Sequence, residues 1–207
     1  MKTLVVHGQK GGAGKTTISL HLGVAAENAG LATVIIDLDP QTSATSWGDS
    51  RTNEAPVVIS IQPSRLAKAL DTARDGGADL VIVDTAPHSA DAAIIAAEAS
   101  DLILVPCRPT ILDLRSIAST ARIIKIADKP AYAVLTCAPA RSPRLIADAA
   151  SVVADVGIAV CPVTIHQRAA YVHSLTIGQT AQEYQPDSKA AEEIWQLLKW
   201  LRKKLAI

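Results

Sequence analysis

Short runs of β-branched and other apolar residues alternate along the chain with longer Ala-rich stretches in which apolar positions follow helical spacing. Most of the short runs are apolar at consecutive positions, which is typical of strands covered by helices on both faces. The pattern therefore predicts an α/β fold, in which a doubly wound, mostly parallel sheet carries helices on both faces. The predicted strands are residues 3–6, 33–38, 57–61, 80–83, 102–105, 132–136 and 158–160.

Two helix starts are marked by capping residues. Ser142 precedes Pro143, and Asp187 or Ser188 precedes the last helix. No repeat, linker or shift in composition divides the chain, so we expect a single domain over residues 1–207.

The composition excludes several classes of function. The 20 Lys and Arg residues balance 20 Asp and Glu, which argues against a protein that coats nucleic acid through bulk charge. Aromatic residues make up 3% of the chain, with no Phe, so platforms of stacked rings for single-stranded nucleic acid are also disfavoured. The three cysteines form no CxxC pair and the five histidines show no ligand spacing, which argues against a zinc site or a disulfide scaffold. No apolar leader opens the sequence, and we expect a cytoplasmic protein.

The strongest chemical signal follows the first predicted strand, where residues 8–17 read GQKGGAGKTT and a helical pattern comes next. Glycines let backbone N–H groups approach an anion closely, and the helix N-terminus adds partial positive charge. Lys15 can reach the β- and γ-phosphates of a nucleotide, and the Thr16 hydroxyl can bind Mg²⁺. Gln9 breaks the strict G-x-x-x-x-G-K-[ST] pattern, whereas the form K-G-G-x-G-K-[ST] fits completely. The residues expected to contact a nucleotide here are Gly11, Gly12, Ala13, Gly14, Lys15, Thr16 and Thr17.

Acidic residues stand at the carboxyl ends of two predicted strands. Asp37 lies at the end of the second strand and Asp39 directly after it, and Asp84 follows the fourth. Because ligands of such sheets bind at this edge, we interpret the acids as ligands of a metal ion or of water rather than as loop caps.

The loop at residues 10–16 resembles the deviant Walker A motif of ParA/MinD P-loop ATPases, the SIMIBI group. The segment VIIDLDPQ (34–41) resembles the second acidic motif of that family, and LVIVDTAP (80–87) resembles its Walker B motif. The likeness covers nearly the whole chain and is greatest to small plasmid ParA proteins of the ParF type. Gly8 stands where the family often has asparagine, and Ala86 where it often has proline. The resemblance implies ATP or ADP and Mg²⁺ as cofactors.

The same resemblance implies roles for the individual residues. Lys10 and Lys15 would be catalytic, with Lys10 reaching the phosphates of a second subunit, so that ATP joins a homodimer. Asp39 would position or deprotonate the attacking water. Thr16, Asp37 and Asp84 would form the metal site.

Two later segments resemble functional parts of the small ParA proteins. Residues 105–110 (VPCRPT) are similar to a Pro-rich segment at the dimer interface, although two prolines also make an ordinary rigid loop. Residues 163–172 are similar to a segment that flanks the nucleotide base. Arg168 within it is a candidate to bind the cofactor, and contact with a partner or a helix cap remains an alternative.

As a function, the resemblance implies a partition ATPase that binds non-specific double-stranded DNA on the nucleoid and works with a small centromere-binding protein of the ParB or ParG kind. With zero net charge, DNA binding would need local clusters of basic residues. The candidates are Arg115, Arg122 and Lys125 in one predicted helix, Arg141 and Arg144 at the start of another, and Lys199, Arg202, Lys203 and Lys204 in the last.

The alternative is a MinD-like membrane switch, because residues 195–205 form an amphipathic basic stretch with two Trp. Its apolar positions, Ile194, Leu197, Leu198, Leu201 and Leu205, also form the single stripe expected of a helix docked on its own sheet, which we favour. A metabolic enzyme of the same fold and a metal-cluster carrier match fewer of the motifs.

Overall fold

A computed structural model describes residues 1–87 and 89–207, so that His88, one of the five histidines, lies outside the described residues. The strands are β1 (Lys2–Val6), β2 (Thr33–Asp37), β3 (Val57–Ser60), β4 (Leu80–Asp84), β5 (Leu102–Cys107), β6 (Ala131–Ala138) and β7 (Ala159–His166). The helices are α1 (Lys15–Asn28), α2 (Ser43–Asp49), α3 (Leu66–Asp75), α4 (Ala90–Glu98), α5 (Ile111–Ala127), α6 (Pro143–Asp155), α7 (Ala169–Thr176), α8 (Ala181–Tyr184) and α9 (Lys189–Leu205), and a short 3-10 turn covers Pro63–Arg65.

All seven strands join one sheet in the order β3-β2-β4-β1-β5-β6-β7, and every neighbouring pair is parallel. The predicted doubly wound α/β fold is confirmed. The register sets Asp84 opposite both Val6 of β1 and Asp37 of β2, so the ends of three strands meet at one edge. The loop that follows β1 therefore lies beside two carboxylates.

Apolar side chains from both faces of the sheet form two core clusters. One cluster takes residues from α1, α2, α7, α8 and α9, and the other from α3, α4, α5 and α6. Burial of these faces supplies most of the driving force for folding, since the hydrophobic contribution grows with apolar area removed from water.

The last helix packs on the sheet, as the sequence analysis favoured. Its stripe of apolar residues is at most 4% exposed, and α9 lies against α1 and β7. The Ser188 side chain caps it by accepting a hydrogen bond from the backbone N–H of Ala191 at 3.2 Å. Within the two described ranges, no helix combines the length and the apolar character that crossing a membrane requires.

One strand and three short helices differ from the prediction. Strand β7 continues to His166, beyond the predicted end at residue 160. The prediction ends early because Pro162 interrupts the apolar run, whereas the strand continues because proline is tolerated on an edge strand. The short helices α2, α7 and α8 were not predicted, since each is too short to show a helical period.

Candidate nucleotide-phosphate site

The glycine loop between β1 and α1 has the backbone geometry of an anion cradle. Gly12 has φ of +73° and Gly14, which precedes the first residue of α1, has φ of +90°, so both occupy the left-handed region that glycine adopts without strain. No side chain of the described residues caps α1, which leaves the N–H groups of its first turn directed at the loop. The Thr136 hydroxyl of β6 donates to the carbonyl of Ala13 at 2.8 Å and fixes the loop from the other side.

Lys15 is held inside this loop. Its side chain is buried, and its Nζ donates to the backbone carbonyl of Lys10 at 3.2 Å. Burial lowers the pKa of Lys15, and the negative charges of Asp84 and Asp39 act against that shift. Lys10 itself is exposed, so one lysine lies under the loop and the other projects from it.

Thr16 and Asp84 form the expected pair of a hydroxyl and a carboxylate. The Thr16 hydroxyl donates to Asp84 Oδ2 at 2.6 Å, and the Ser19 hydroxyl, one turn further along α1, donates to Oδ1 at 3.2 Å. Burial raises the pKa of Asp84 to about 7, against the opposing effect of the two hydroxyls and Lys15. Sequence reasoning missed Ser19, although its position three residues after Thr16 places both on one helix face.

The two acids that follow β2 have different surroundings. Asp37 is fully buried, its Oδ1 accepts the N–H of Asp39 at 2.9 Å, and its Oδ2 accepts the N–H groups of Ala44 and Thr45 at 3.0 and 3.1 Å. These contacts hold the loop and the start of α2. Asp39 is half-exposed, and its Oδ1 accepts only the N–H of Gln41 within the described residues. Asp39 is therefore the acid of the pair that is accessible to solvent, whereas the contacts of Asp37 hold the loop and the start of α2.

Two cavities flank the start of α1. The smaller, of about 190 Å³, is lined by Lys15, Asp39, Pro87 and the loop glycines Gly11, Gly12 and Gly14. The larger, of about 730 Å³, runs from Gly14 past Arg108 and Thr136 to residues 165–168 and α7. Gly14, Thr16 and Thr17 line both, so the two cavities adjoin at the loop.

Arg168 lies in the wall of the larger cavity and is bound to the last helix. Its Nε and Nη2 both donate to Glu193 Oε1, at 3.0 and 2.5 Å. Glu193 also accepts the backbone N–H of His166 and the hydroxyl of Tyr171, each at 3.1 Å. Burial alone would raise the pKa of Glu193, but the bonds from Arg168 and His166 hold it below its usual value. Sequence reasoning missed Glu193, because it lies 25 residues from Arg168 along the chain.

The donor set fits Mg²⁺ together with a nucleotide. The described residues contain no cluster of three or more His, Cys, Asp or Glu side chains suited to a metal. A Mg²⁺ ion needs few protein ligands, because it takes its remaining oxygens from phosphate and water. The Thr16 hydroxyl beside the Asp84 carboxylate offers such oxygens next to the anion cradle. The structure brings residues 10–17, Asp39 and Asp84 together, and it places Asp37 behind them and Arg168 further along the cavity.

Comparison with known proteins places the chain in a family. Residues 4–180 match the CobQ/CobB/MinD/ParA nucleotide binding domain. Protein ParA from Rhizobium radiobacter is 32% identical over 128 residues, which is 60% of this chain and 56% of that protein. Maintenance of carboxysome distribution protein A from Halothiobacillus neapolitanus is 30% identical over 212 aligned positions, covering 95% of this chain and 94% of that protein.

Among solved structures, the septum site-determining protein MinD from Pyrococcus horikoshii, complexed with Mg-ADP, superposes with a TM-score of 0.77. It is 19% identical, and the match covers 98% of this chain and 96% of that one, a likeness of fold. The predicted family is confirmed, and with it the predicted class of enzyme, a nucleotide-binding ATPase domain. The chain belongs to the CobQ/CobB/MinD/ParA family of nucleotide-binding domains.

Proposed function

We propose that this protein is a partition ATPase, which dimerises with ATP, holds DNA non-specifically and moves plasmid or chromosomal cargo together with a small centromere-binding protein. The observation that carries the proposal is the pair of lysines in the glycine loop. Lys15 lies beneath the loop and Lys10 projects from it into solvent, so one serves the bound nucleotide while the other is available to a second copy. This activity would place the protein in the cytoplasm, bound to the nucleoid. Residues 1–207 would act as a single domain.

ATP and ADP bind through residues 11–17 and Arg168. The N–H groups of the loop surround the phosphates, and Lys15 neutralises their charge from below. Thr16 and Asp84 would hold the Mg²⁺ ion, with Asp37 behind them supporting both the metal site and the neighbouring loop. The ion supplies charge neutralisation on the phosphate oxygens when it is bound.

Hydrolysis then depends on the groups that face the smaller cavity. Asp39 orients a water molecule and accepts its proton, while the water oxygen bonds to the terminal phosphorus and the bond to the bridging oxygen breaks. Lys10 of the second copy stabilises the charge that develops on the phosphate oxygens. A dimer is needed for this second charge, which ties hydrolysis to the association state.

DNA binding requires a basic surface, and the fold offers two. Arg115, Arg122 and Lys125 are exposed on α5, and Arg141 and Arg144 are exposed at the start of α6, a helix that contacts α5. Lys199, Lys203 and Lys204 are exposed on α9, with Arg202 half-exposed between them. These helices pack on opposite faces of the sheet, so the two clusters are separate candidate surfaces. Dimerisation doubles either one and thereby raises the number of phosphate contacts.

The cargo has a second candidate. The match to the carboxysome distribution protein spans nearly the full length of both chains, whereas the match to Rhizobium radiobacter ParA spans little more than half of each. A protein compartment carried by the same DNA-bound dimer is therefore the alternative to a plasmid or chromosome. The DNA-binding cycle is the same in both cases.

Membrane attachment through the last helix is not favoured. The apolar stripe of α9 is already packed against α1 and β7, so insertion into a bilayer would first expose the core beneath it.

The decisive experiment is co-sedimentation of the purified protein with non-specific duplex DNA and, in parallel, with anionic liposomes. Each is performed with ATP, ADP and no nucleotide, at two salt concentrations. We expect pelleting with DNA in ATP alone, weakened by salt, and none with liposomes. Liposome binding without DNA binding would instead favour a membrane switch, and binding to neither would contradict a role in partition.

A further inference from the structure

Arg108 lies against the glycine loop, although nothing in the phosphate-binding motif includes it. It follows the last residue of β5, between Pro106 and the buried Pro109, which restrict the backbone on either side. Its Nη2 is 3.1 Å from the position that a Cβ atom would take on Gly12. The guanidinium therefore lies directly over the loop, in space that a larger residue at position 12 would occupy.

The guanidinium has donors with no acceptor. Its Nε is buried and has no hydrogen-bond partner within residues 1–87 and 89–207, and no carboxylate of those residues lies within ion-pair distance. A buried charged donor without an acceptor is costly, so such a group is retained where an anion completes it. A planar fork of N–H donors is suited to phosphate.

The two cavities indicate which part of a nucleotide Arg108 meets. It lines the larger cavity, together with Gly14, Thr16, Thr17 and Thr136, and is absent from the lining of the smaller one. Lys15 and Asp39 line the smaller cavity, which is where the terminal phosphate and the attacking water belong in the proposed function. Arg108 thus borders the cavity that leads toward Arg168, and its approach to Gly12, which lines the smaller cavity, keeps its guanidinium at the loop between the two.

We propose that Arg108 binds the inner part of the phosphate chain, at the α- and β-phosphates, of a nucleoside di- or triphosphate held by its own protomer. This inference rests on the proposed function, because it takes the loop to be a nucleotide site. It differs from an interface role of residues 105–110, in which Arg108 would contact the second copy and act only in the ATP-bound dimer.

The test measures the affinity of Arg108→Ala, Arg108→Lys and the wild type for ADP and for ATP by isothermal titration calorimetry in the presence of Mg²⁺. We expect Arg108→Ala to weaken both nucleotides by the same factor, about tenfold or more, because the lost bonds are charge-assisted and the inner phosphates are common to both. Arg108→Lys should fall between, since an ammonium keeps the charge but loses the fork. Arg74→Ala, at an exposed arginine of α3 that contacts Asp71, is the matched control and should bind as the wild type does.

Each result decides between the interpretations. Unchanged binding of both nucleotides by Arg108→Ala overturns the proposal, and so does a loss confined to ATP, which would assign Arg108 to the terminal phosphate or to the second copy. If Arg108→Ala unfolds, the same comparison of ADP with ATP is made on Arg108→Lys. A wild type that binds neither nucleotide refutes the proposed function itself, whereas wild-type binding that is lost in Lys15→Ala and kept in Arg108→Ala refutes the role of Arg108 alone.

Discussion

Glu193 on the last helix accepts two hydrogen bonds from the guanidinium of Arg168, in the wall of the larger cavity. The same carboxylate holds the backbone of His166 and the hydroxyl of Tyr171. A single buried acid therefore fixes the segment that follows β7 to the helix that carries a basic surface. The wall of the larger cavity and the packing of α9 are linked through it.

Replacing Glu193 with alanine should loosen both sides of this contact. We expect Glu193→Ala to lower the free energy of unfolding by about 3 kcal/mol, because Arg168, His166 and Tyr171 all lose a partly buried acceptor. Urea denaturation measures the loss. Glu192→Ala removes the neighbouring exposed acid, whose side chain accepts a hydrogen bond from Gln196 alone within the described residues, and should change stability by less than about 0.5 kcal/mol. Equal losses in the two variants would contradict a special role for Glu193.

Lys15→Ala and Asp39→Ala should separate binding from chemistry. Lys15 is buried beneath the phosphate cradle, so its loss should abolish measurable nucleotide binding. Asp39 is half-exposed and faces the smaller cavity, so Asp39→Ala should still bind ATP and form a dimer but hydrolyse ATP at least about 100-fold more slowly. Nucleotide titration and a phosphate-release assay test the pair, and equal ATP binding by wild type and Lys15→Ala would refute the phosphate-loop assignment.

Lys10→Ala should lose the dimer while keeping the nucleotide. Its side chain points to solvent, and the contact it makes within the loop uses its backbone carbonyl, which alanine retains. Light scattering after gel filtration with ATP should show a monomer for Lys10→Ala and a dimer for the wild type. Lys68→Ala, at an exposed lysine of α3, is the matched control. A Lys10→Ala dimer of normal stability would contradict the role across the interface.

Charge reversal should distinguish the two candidate DNA surfaces. Because α5 and α9 pack on opposite faces of the sheet, we expect only one of two double variants to lose ATP-dependent DNA binding. The variants are Arg122→Glu with Lys125→Glu, and Lys199→Glu with Lys203→Glu. The affected variant should also show a weaker salt dependence, by about one unit of slope for each phosphate contact removed. Loss in both variants, or in neither, would show that the surfaces are not assigned correctly.

Acid should destabilise the protein through His21. Burial in α1 lowers the pKa of His21 to about 4, and the unfolded chain takes up its proton near pH 6.5. The unfolded state therefore binds more protons between these values, and stability is lost as pH falls from 6.5 to 4, by up to about 3 kcal/mol. Urea denaturation gives the free energy of unfolding at each pH in this range. Its dependence on pH should be much weaker in His21→Leu than in the wild type, and unchanged in the control His173→Gln, which alters an exposed histidine.

Two other buried groups also affect that slope, so the comparison is made between variants. Burial lowers the pKa of His7 to about 4, which acts in the same direction as His21. Asp84, with its pKa raised to about 7, acts in the opposite direction, because the folded state then holds a proton that the unfolded state has already released. An unchanged slope in His21→Leu would contradict the assignment to His21.

The sequence predicts those features of the fold and the site that are determined by residues close together along the chain. Each of the seven strands is a short apolar run, and residues 10–16 form a motif whose spacing alone defines the phosphate loop. Helix α2 escapes prediction because its start is held by Asp37, a carboxylate of the preceding strand, and its one large apolar residue is Trp47. These hydrogen bonds join residues seven and eight positions apart, a separation that gives no periodic signal in the sequence.

Sequence reasoning also misses contacts between segments that are distant along the chain. Glu193 and Arg168 are both ordinary charged residues of their elements until β7 and α9 pack together. Arg108 is similar, since its segment suggests a rigid loop, and only the order of strands β1 and β5 brings its guanidinium over Gly12. Such pairs depend on tertiary packing, which single-sequence patterns do not encode.

The position of β1 in the sheet has a consequence for synthesis on the ribosome. Strand β1 is made before β4 and β5, between which it lies, and it has both neighbours only after Cys107 has left the exit tunnel. Until then a nascent chain carries the complete glycine loop on a strand with an open apolar edge, which is a hazard for aggregation. A truncated product that ends before Leu102 would thus contain every residue of the loop motif, yet lack the partner strand that supports it.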